Sequence, residues 1–284
     1  MTGAGAVFRH LGAFDMDSPD SNKEAEEDKD RQFATSLARG LDVLRCFTAR
    51  QPVLGNGDIA DLTGLSKSTV SRLTYTLTQL GYLRRTADSA KYELGPSVVS
   101  LAYPLVSSIE IYRVAVPQMK DLADYSRGWV SVGVRERTNI VYMETVSHDG
   151  QALSKRDIGL TFPIISSAIG HAYLAALDEK ERAKLLNQIR LKTPQDWARY
   201  AQGAHDSLAE FGNRGFCMRL GGYNPDVNTV AVPLRMPEET VVFNCAVPAK
   251  SLSPGQLELD IGPRLVDLVD SIRRGLGFEA GPAA

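Results

Sequence analysis

The sequence predicts an α+β chain in two parts. Three short helices closed by a β-hairpin come first, and a further helix joins them to a larger α/β unit with an antiparallel sheet. Three observations lead there. Apolar residues recur at helical spacing in short runs between residues 33 and 80, and Gly or Pro stops each run. Two strand-like runs, 82–85 and 91–94, follow around a polar turn. From Trp129 the period changes to two, and several strands succeed one another with no helix between them, which suits an antiparallel sheet rather than a parallel one.

Bulk properties narrow the class. A chain of 284 residues suggests about two domains. An apolar fraction of 43% is ordinary for soluble globular protein. No apolar run approaches the roughly 18 residues that span a bilayer, and the N-terminus lacks a basic start with an apolar core. A cytoplasmic protein with no membrane contact is therefore expected. Cys46, Cys217 and Cys245 are isolated from one another and from His pairs, so they read as buried thiols. Neither a disulfide framework, a metal site nor a cofactor is expected. The net charge of −2 gives no hint of nucleic acid, but local distribution matters more than the average.

Each element has its own warrant. Residues 1–32 lack periodicity and are acidic, with Glu24, Glu26, Glu27 and Asp28 clustered, so they read as a disordered tail. Leu37, Leu41, Val43, Leu44 and Phe47 fit one face of a first helix, which Gln51-Pro52 ends. A second helix enters at Asn56-Gly57-Asp58, carries Ile59, Ala60 and Leu62, and stops at Gly64. Ser66 caps a third, running to about Leu80 with Val70, Leu73, Leu77 and Leu80 as its buried stripe. The hairpin turns at Asp88-Ser89. Residues 94–126 are helical with breaks near Gly95-Pro96, Pro104 and Pro117. The expected divisions are a hairpin-bearing domain at 33–96, a linking helix at 97–116 and a second domain at 117–278. In that domain strands are expected near 129–135, 139–146, 216–220, 229–234 and 241–247, and helices over 167–190 and 194–212. Ser253-Pro254-Gly255-Gln256 combines a capping box with Pro at the first helical position and opens a last helix to about Gly275.

Residues 56–80 carry the most specific signal. In a helix-turn-helix the two helices cross steeply, so the first needs a small residue, the turn one that accepts positive φ, and the second an aliphatic facing back. Ala60, Gly64 and Val70 stand at that spacing, with Ile59, Leu65 and Leu73 filling the core. Outward, the second of these helices offers Ser66, Lys67, Ser68, Thr69, Ser71, Arg72 and Tyr75, groups suited to phosphate and groove contact. Arg72 suits a guanine edge, and Ser68 or Ser71 either base type. Arg84, Arg85 and Lys91 make the hairpin a basic wing for the DNA backbone or minor groove. The pattern is a winged helix-turn-helix, and its partner would be double-stranded operator DNA. The competing reading is a helical pair for protein contact with solvated charges. It does not explain why the turn glycine, the core spacing and the basic hairpin coincide.

With those residues in view, the sequence resembles the IclR family of bacterial regulators. The carrying segments are Ser36-Leu37-Ala38-Arg39-Gly40-Leu41-Asp42-Val43-Leu44, Thr63-Gly64-Leu65-Ser66-Lys67-Ser68-Thr69-Val70-Ser71-Arg72-Leu73, and Leu80-Gly81-Tyr82-Leu83 leading to Tyr92-Glu93-Leu94-Gly95-Pro96. Gly159, Pro163, Ala168, Gly170-His171-Ala172, Gly215-Phe216 and Val230-Ala231-Val232-Pro233-Leu234 agree more loosely. The resemblance covers about residues 34–277. It implies a GAF-like second domain that binds a small effector, commonly a carboxylate or aromatic acid of a catabolic pathway. It implies a homodimer through the DNA-binding region and often a dimer of dimers. A repressor needs only the operator, and an activator would also engage RNA polymerase.

By the same resemblance, three segments line the effector pocket. One is Ser166, Ser167, Ala168 and Ile169 at a helix start, where free backbone N–H groups can hold a carboxylate. Another runs from Arg219 to Thr229, and the third is Phe243, Asn244 and Ala246 on the last strand, where Asn244 and Ala246 share a face. Here the chain departs from the family pattern. It has His171 where Lys is frequent, Arg219-Leu220-Gly221-Gly222 where acidic residues are, Thr229 for Cys, and Asn244 and Ala246 for Ser. Arg219 suits a bidentate carboxylate, or is a surface cation on a strand. Ser167 is equally a helix cap, Thr229 and Asn244 are equally ordinary strand residues, and His171 reads as a structural hydrogen-bonder. An enzyme is the rival class, but His10, His148, His171 and His205 form no His-x-x-x-His pair, and the chain has neither Gly-x-Ser-x-Gly nor a Gly-rich phosphate loop. A ligand-independent DNA-binding protein is the other rival, and it leaves about 150 residues of α/β domain without a task.

Overall fold

The computed structural model describes residues 33–48, 51–87, 89–107, 110–149, 158–221 and 224–277. The expected tail at 1–32, Asp88 of the hairpin turn and Gly222 lie outside the described residues. The chain divides into two compact units, Met1–Ser108 and Ile109–Ala284. The span 97–116, expected as a linking helix, is shared between a last helix of the first unit and an opening helix of the second. Among the described residues no helix is long and apolar enough to cross a membrane.

The first unit runs α1 (Thr35–Arg45), β1 (Leu54–Gly55), α2 (Asn56–Thr63), α3 (Lys67–Gln79), β2 (Leu83–Arg85), β3 (Lys91–Leu94) and α4 (Ser97–Ser107). Its antiparallel sheet has the order β1-β3-β2, and the two-residue β1 escapes sequence reasoning because it is too short to show a period. Val43, Phe47, Leu54, Ile59, Ala60, Val70, Leu77, Leu83 and Tyr92 form the core. Two expectations need correction. Leu37 and Leu41 are exposed, because α1 turns Gly40 and Val43 inward, with Gly40 against Leu73. Leu80 is exposed too, since it caps the helix end, and the fully buried Thr74 takes a place in the stripe instead.

The second unit runs α5 (Glu110–Ser126), β4 (Trp129–Glu136), β5 (Asn139–Ser147), β6 (Thr161–Pro163), α6 (Ala168–Ala176), α7 (Glu179–Lys192), α8 (Pro194–Arg214), β7 (Cys217–Leu220), β8 (Val227–Arg235) and β9 (Thr240–Pro248). It closes with α9 (Pro254–Gln256), a π-helical turn (Leu257–Ile261) and α10 (Gly262–Gly275). Ser253 and Gln256 cap that last run reciprocally, Ser253 Oγ accepting from the Gln256 N–H and Gln256 Oε1 from the Ser253 N–H. The single helix expected over 167–190 is two, because the Asp178 side chain caps a new helix through the Glu181 N–H at 2.7 Å.

All strand pairs are antiparallel, in the order β6-β5-β4-β9-β8-β7. One face packs on α5 and α10 through Val130, Val132, Val230, Val232, Phe243 and Cys245. The other packs on α6, α7 and α8 through Ile140, Tyr142, Cys217, Ala231 and Val242. With both faces covered, the strands are apolar nearly throughout. A polar side chain on such a sheet therefore stands out.

Candidate nucleic-acid interface and sensor site

The helix pair of the first unit is held by backbone geometry. Gly64 ends α2 at φ 69°, a left-handed conformation that disfavours any Cβ, and its N–H bonds to Ala60 O at 2.9 Å. Ser66 then caps α3, its Oγ accepting from the Thr69 N–H. Ser66, Lys67, Ser68, Ser71, Arg72 and Tyr75 are exposed along α3, while Val70, Thr74 and Leu77 face the core. Thr69 is half-buried, its hydroxyl 2.9 Å from Ser66 Oγ, so it serves the cap as well as the surface.

The wing cations differ in freedom. Arg84 Nε meets Glu93 Oε1 at 2.9 Å across the β2–β3 register. Arg85 reaches Tyr92 Oη at 3.4 Å and lies over the ring. Lys91 is exposed on β3. Tyr92 sits in a buried network that sequence reasoning misses. Thr74 Oγ1 bonds to Asn56 Oδ1 at 3.1 Å, and burial of the Tyr92 phenol, which raises its pKa, is outweighed by hydrogen bonds with Thr74, Arg85 and Asn56. The network ties α2, α3 and the wing together, so α3 and Arg85 share one support. Thr74 and Asn56 carry no signature, because a Thr within a helix and an Asn at its start have many ordinary roles.

In the second unit, α6 begins over the middle of the sheet. Ser167 caps it, accepting from the Gly170 N–H at 3.2 Å and donating to Pro163 O at 2.7 Å, so its hydroxyl is fully engaged. Gly170 is needed for the approach, since a Cβ there would stand 2.2 Å from Ile164 O. Ser166, Ala168 and Ile169 are buried at this helix start, Ile169 next to Gly133 of β4.

The strand register assembles most of the remaining expected residues on the face toward α6. Arg219 stands opposite Thr229, and Thr229 opposite Ala246. Asn244 lies opposite Ala231 on one side and Ser131 on the other. Phe243 is the correction. It alternates away from Asn244 and is fully buried against α5 and α10, so it cannot line this face. Ser131 and Thr145 are additions, their hydroxyls hydrogen-bonded at 2.9 Å and buried. Ser131 alternates with Val130 and Val132, a pattern that marks a strand without telling a covered face from a bare one.

His171 follows in α6, fully buried, with Nε2 3.0 Å from Ile165 O. Burial pushes its pKa down to about 4, against the Ile165 hydrogen bond and with help from the Arg219 charge. α6 also packs on β7, the strand that carries Arg219. Burial likewise drives the Cys217 and Cys245 thiols up to about 12, as inert thiols require.

Two family models match this chain, the IclR helix-turn-helix domain over residues 36–87 and the bacterial transcriptional regulator IclR C-terminal domain over residues 103–259. The chain belongs to the IclR family. It is an IclR-type DNA-binding transcriptional regulator rather than an enzyme. Similar curated proteins include the HTH-type transcriptional regulator TsaQ1/TsaQ2 of Comamonas testosteroni, 31% identical over 242 residues, which span 84% of this chain and 87% of that one. An IclR family regulator from Brucella abortus has a similar crystal structure, 44% identical, with a TM-score of 0.78 over 86% of this chain and 93% of its own. An IclR homolog from Microbacterium hydrocarbonoxydans, solved in complex with 4-hydroxybenzoate, shares the fold at 21% identity and a TM-score of 0.66, over 85% of this chain and 99% of its own.

Proposed function

We propose that this IclR-type regulator reads its operator with α3 and the wing and is controlled by a small organic acid bound between α6 and the sheet. The observation that carries the DNA part is the exposed row Lys67, Ser68, Ser71, Arg72 and Tyr75 on a helix fixed by the Gly64 turn and the Ser66 cap. Arg72 reads a base edge. Lys67, Ser66, Thr69, Arg84, Arg85 and Lys91 position the protein on phosphates. Both wing arginines already hold protein partners, so Lys91 is the wing cation most available to phosphate.

The sensor consists of the α6 start (Ser166, Ser167, Ala168, Ile169) with Arg219, Thr229, Asn244 and Ala246. Polar groups on an otherwise apolar, doubly covered sheet face support that reading. The homolog solved with 4-hydroxybenzoate accords with an aromatic-acid effector.

The working unit is a homodimer. The first unit exposes apolar side chains that a partner would cover, Leu37 with Leu41 on one face of α1, and Val99 with Tyr103 and Leu101 with Leu105 on opposite sides of α4. Two recognition helices then meet successive major grooves of a near-palindromic site, roughly 34 Å apart. Effector binding changes operator affinity through a coupling free energy of about 1–3 kcal/mol.

The test is a gel-shift titration of the full chain on the intergenic DNA beside its own gene, with and without a panel of small acids, 4-hydroxybenzoate among them. Specific retention altered by one acid is the expected result. A folded protein that retains no DNA specifically at low salt, on that site or on a genomic library, refutes it.

A further inference from the structure

The polar atoms of the sensor face differ in what they ask of a ligand. Asn244 is 2% exposed, and its Oδ1 has no hydrogen-bond partner among the described residues. His171 supplies a second acceptor. Because a carbonyl only accepts, His171 Nε2 is the donor to Ile165 O, and the neutral ring keeps its lone pair on Nδ1, also buried and unpartnered among the described residues. Arg219 offers the opposite. Its Nε–H is buried with no partner among the described residues, and its guanidinium lies against α8, Nη1 2.6 Å from the place a Cβ on Gly203 would take. A buried polar atom left unmatched is costly, so each of these favours a ligand group that meets it. Ser167, by contrast, donates to Pro163 O and accepts from the Gly170 N–H, and Ser131 accepts from Thr145. The buried atoms left without a partner on this face, among the described residues, are thus one cationic donor and two acceptors.

We infer, resting on the sensor reading above, that the effector is a hydroxylated carboxylic acid, its carboxylate held by Arg219 beside the first turns of α6 and its hydroxyl donating to Asn244 Oδ1. The register sets the scale. Arg219 and Asn244 lie two strands and one two-residue step apart. With strands about 4.8 Å apart and a rise of about 3.4 Å per residue, their Cα atoms are roughly 12 Å apart. The long arginine side chain and the asparagine amide span part of that distance, and the length of a small ring or short chain matches the remainder. Ala231 and Ala246, both buried, floor the space between with apolar surface. A neutral alcohol leaves Arg219 unmatched, and a plain acid leaves Asn244 Oδ1 unmatched.

Calorimetric titration of the full chain tests this with two pairs of probes, 4-hydroxyphenylacetate against phenylacetate and lactate against propionate, with 4-methylphenol as the uncharged control. In at least one pair the hydroxy acid is expected to bind about tenfold or more tightly than its partner, the value of one net hydrogen bond. Asn244→Leu and Asn244→Ala erase that preference while the plain acid still binds. Arg219→Gln weakens both acids by about tenfold or more and leaves 4-methylphenol unaffected. A preference that survives in the folded Asn244 variants, or acid affinity indifferent to Arg219→Gln, overturns the inference, as does a folded wild type that binds none of the four acids. Thr229→Trp separates the two levels of the argument. Acid binding that survives this bulky substitution sinks the sensor site itself. Binding lost in Thr229→Trp but unaltered by the Arg219 and Asn244 substitutions keeps the site and discards the hydroxy acid.

Discussion

Replacing Gly170 by Ala sets two effects of opposite sign against each other. Gly170 lies within α6, where helix propensity alone favours Ala by about 1 kcal/mol. Packing opposes it. A Cβ at this position would stand 2.2 Å from Ile164 O, 2.3 Å from its Cα and 2.6 Å from its carbonyl carbon. All three are backbone atoms, so no rotamer change relieves the contact, and α6 has to lift from the turn that holds its cap. Overpacking of this kind costs about 1–3 kcal/mol, and contact with backbone puts it at the upper end. The net loss is then about 2 kcal/mol, which for a unit of this size lowers Tm by roughly 4–8 °C. Calorimetric melting of wild type and variant measures it. The same displacement disturbs the helix start proposed to meet the effector, so acid binding should weaken while DNA retention persists. A Tm that rises, as propensity alone dictates, would refute the claim that α6 is seated by this contact.

Arg72→Ala should relax sequence preference at about one base pair and cost on the order of 1–3 kcal/mol in operator affinity, whereas Lys91→Ala should weaken all sequences alike and flatten the salt dependence. Gel-shift titrations at several salt concentrations distinguish the two, and unchanged affinity in both variants would remove α3 and the wing from the interface. Thr74→Val keeps the side-chain shape and deletes the hydroxyl bonded to Asn56, so it should cost about 1–3 kcal/mol in urea unfolding. Equal stability would show that the network tying α2, α3 and the wing contributes nothing. His171 takes up protons less readily folded (pKa about 4) than at its ordinary value of 6.5, so the unfolded chain binds more protons between those values. Its contribution is fully present above pH 6.5 and is lost as pH falls toward 4, by about 1.4 kcal/mol per unit, and His171→Gln should flatten that limb of the stability–pH curve.

The two units differ in how much of them their residues disclose, for a physical reason. A helix-turn-helix is specified locally. Gly64, Ala60, Val70 and the Ser66 cap lie within eleven residues of one another, and each is constrained by a single backbone crossing. Spacing therefore identifies them. Beyond the two-residue β1, what stays undisclosed in this unit is which surfaces are covered. Leu37 and Leu41 share an apolar helix face with Val43, and apolar periodicity marks a face without saying what covers it. The proposed sensor face is assembled from β4, β5, β7, β8 and β9, whose pairing is set by long-range register. Period two places Asn244 and Ala246 on one side and would have removed Phe243 had the alternation been followed through. No local pattern reveals that Ser131 and Thr145 belong beside them.

The departures from the family pattern gain meaning in that register. Arg219 stands in place of frequent acidic residues, and Asn244 in place of a frequent Ser. Either substitution alone is unremarkable on a strand. Placed on one covered face, two strands apart, they convert a surface cation and an ordinary strand amide into a charge and an acceptor that the described protein leaves unmatched. Their cost when empty is what makes them selective when filled. An occupant that meets both gains the two interactions together, whereas one that meets a single group leaves the other buried and unpaired. On the proposed reading, specificity at this site is set less by the shape of an apolar pocket, which discriminates weakly, than by polar atoms that the fold buries without satisfying.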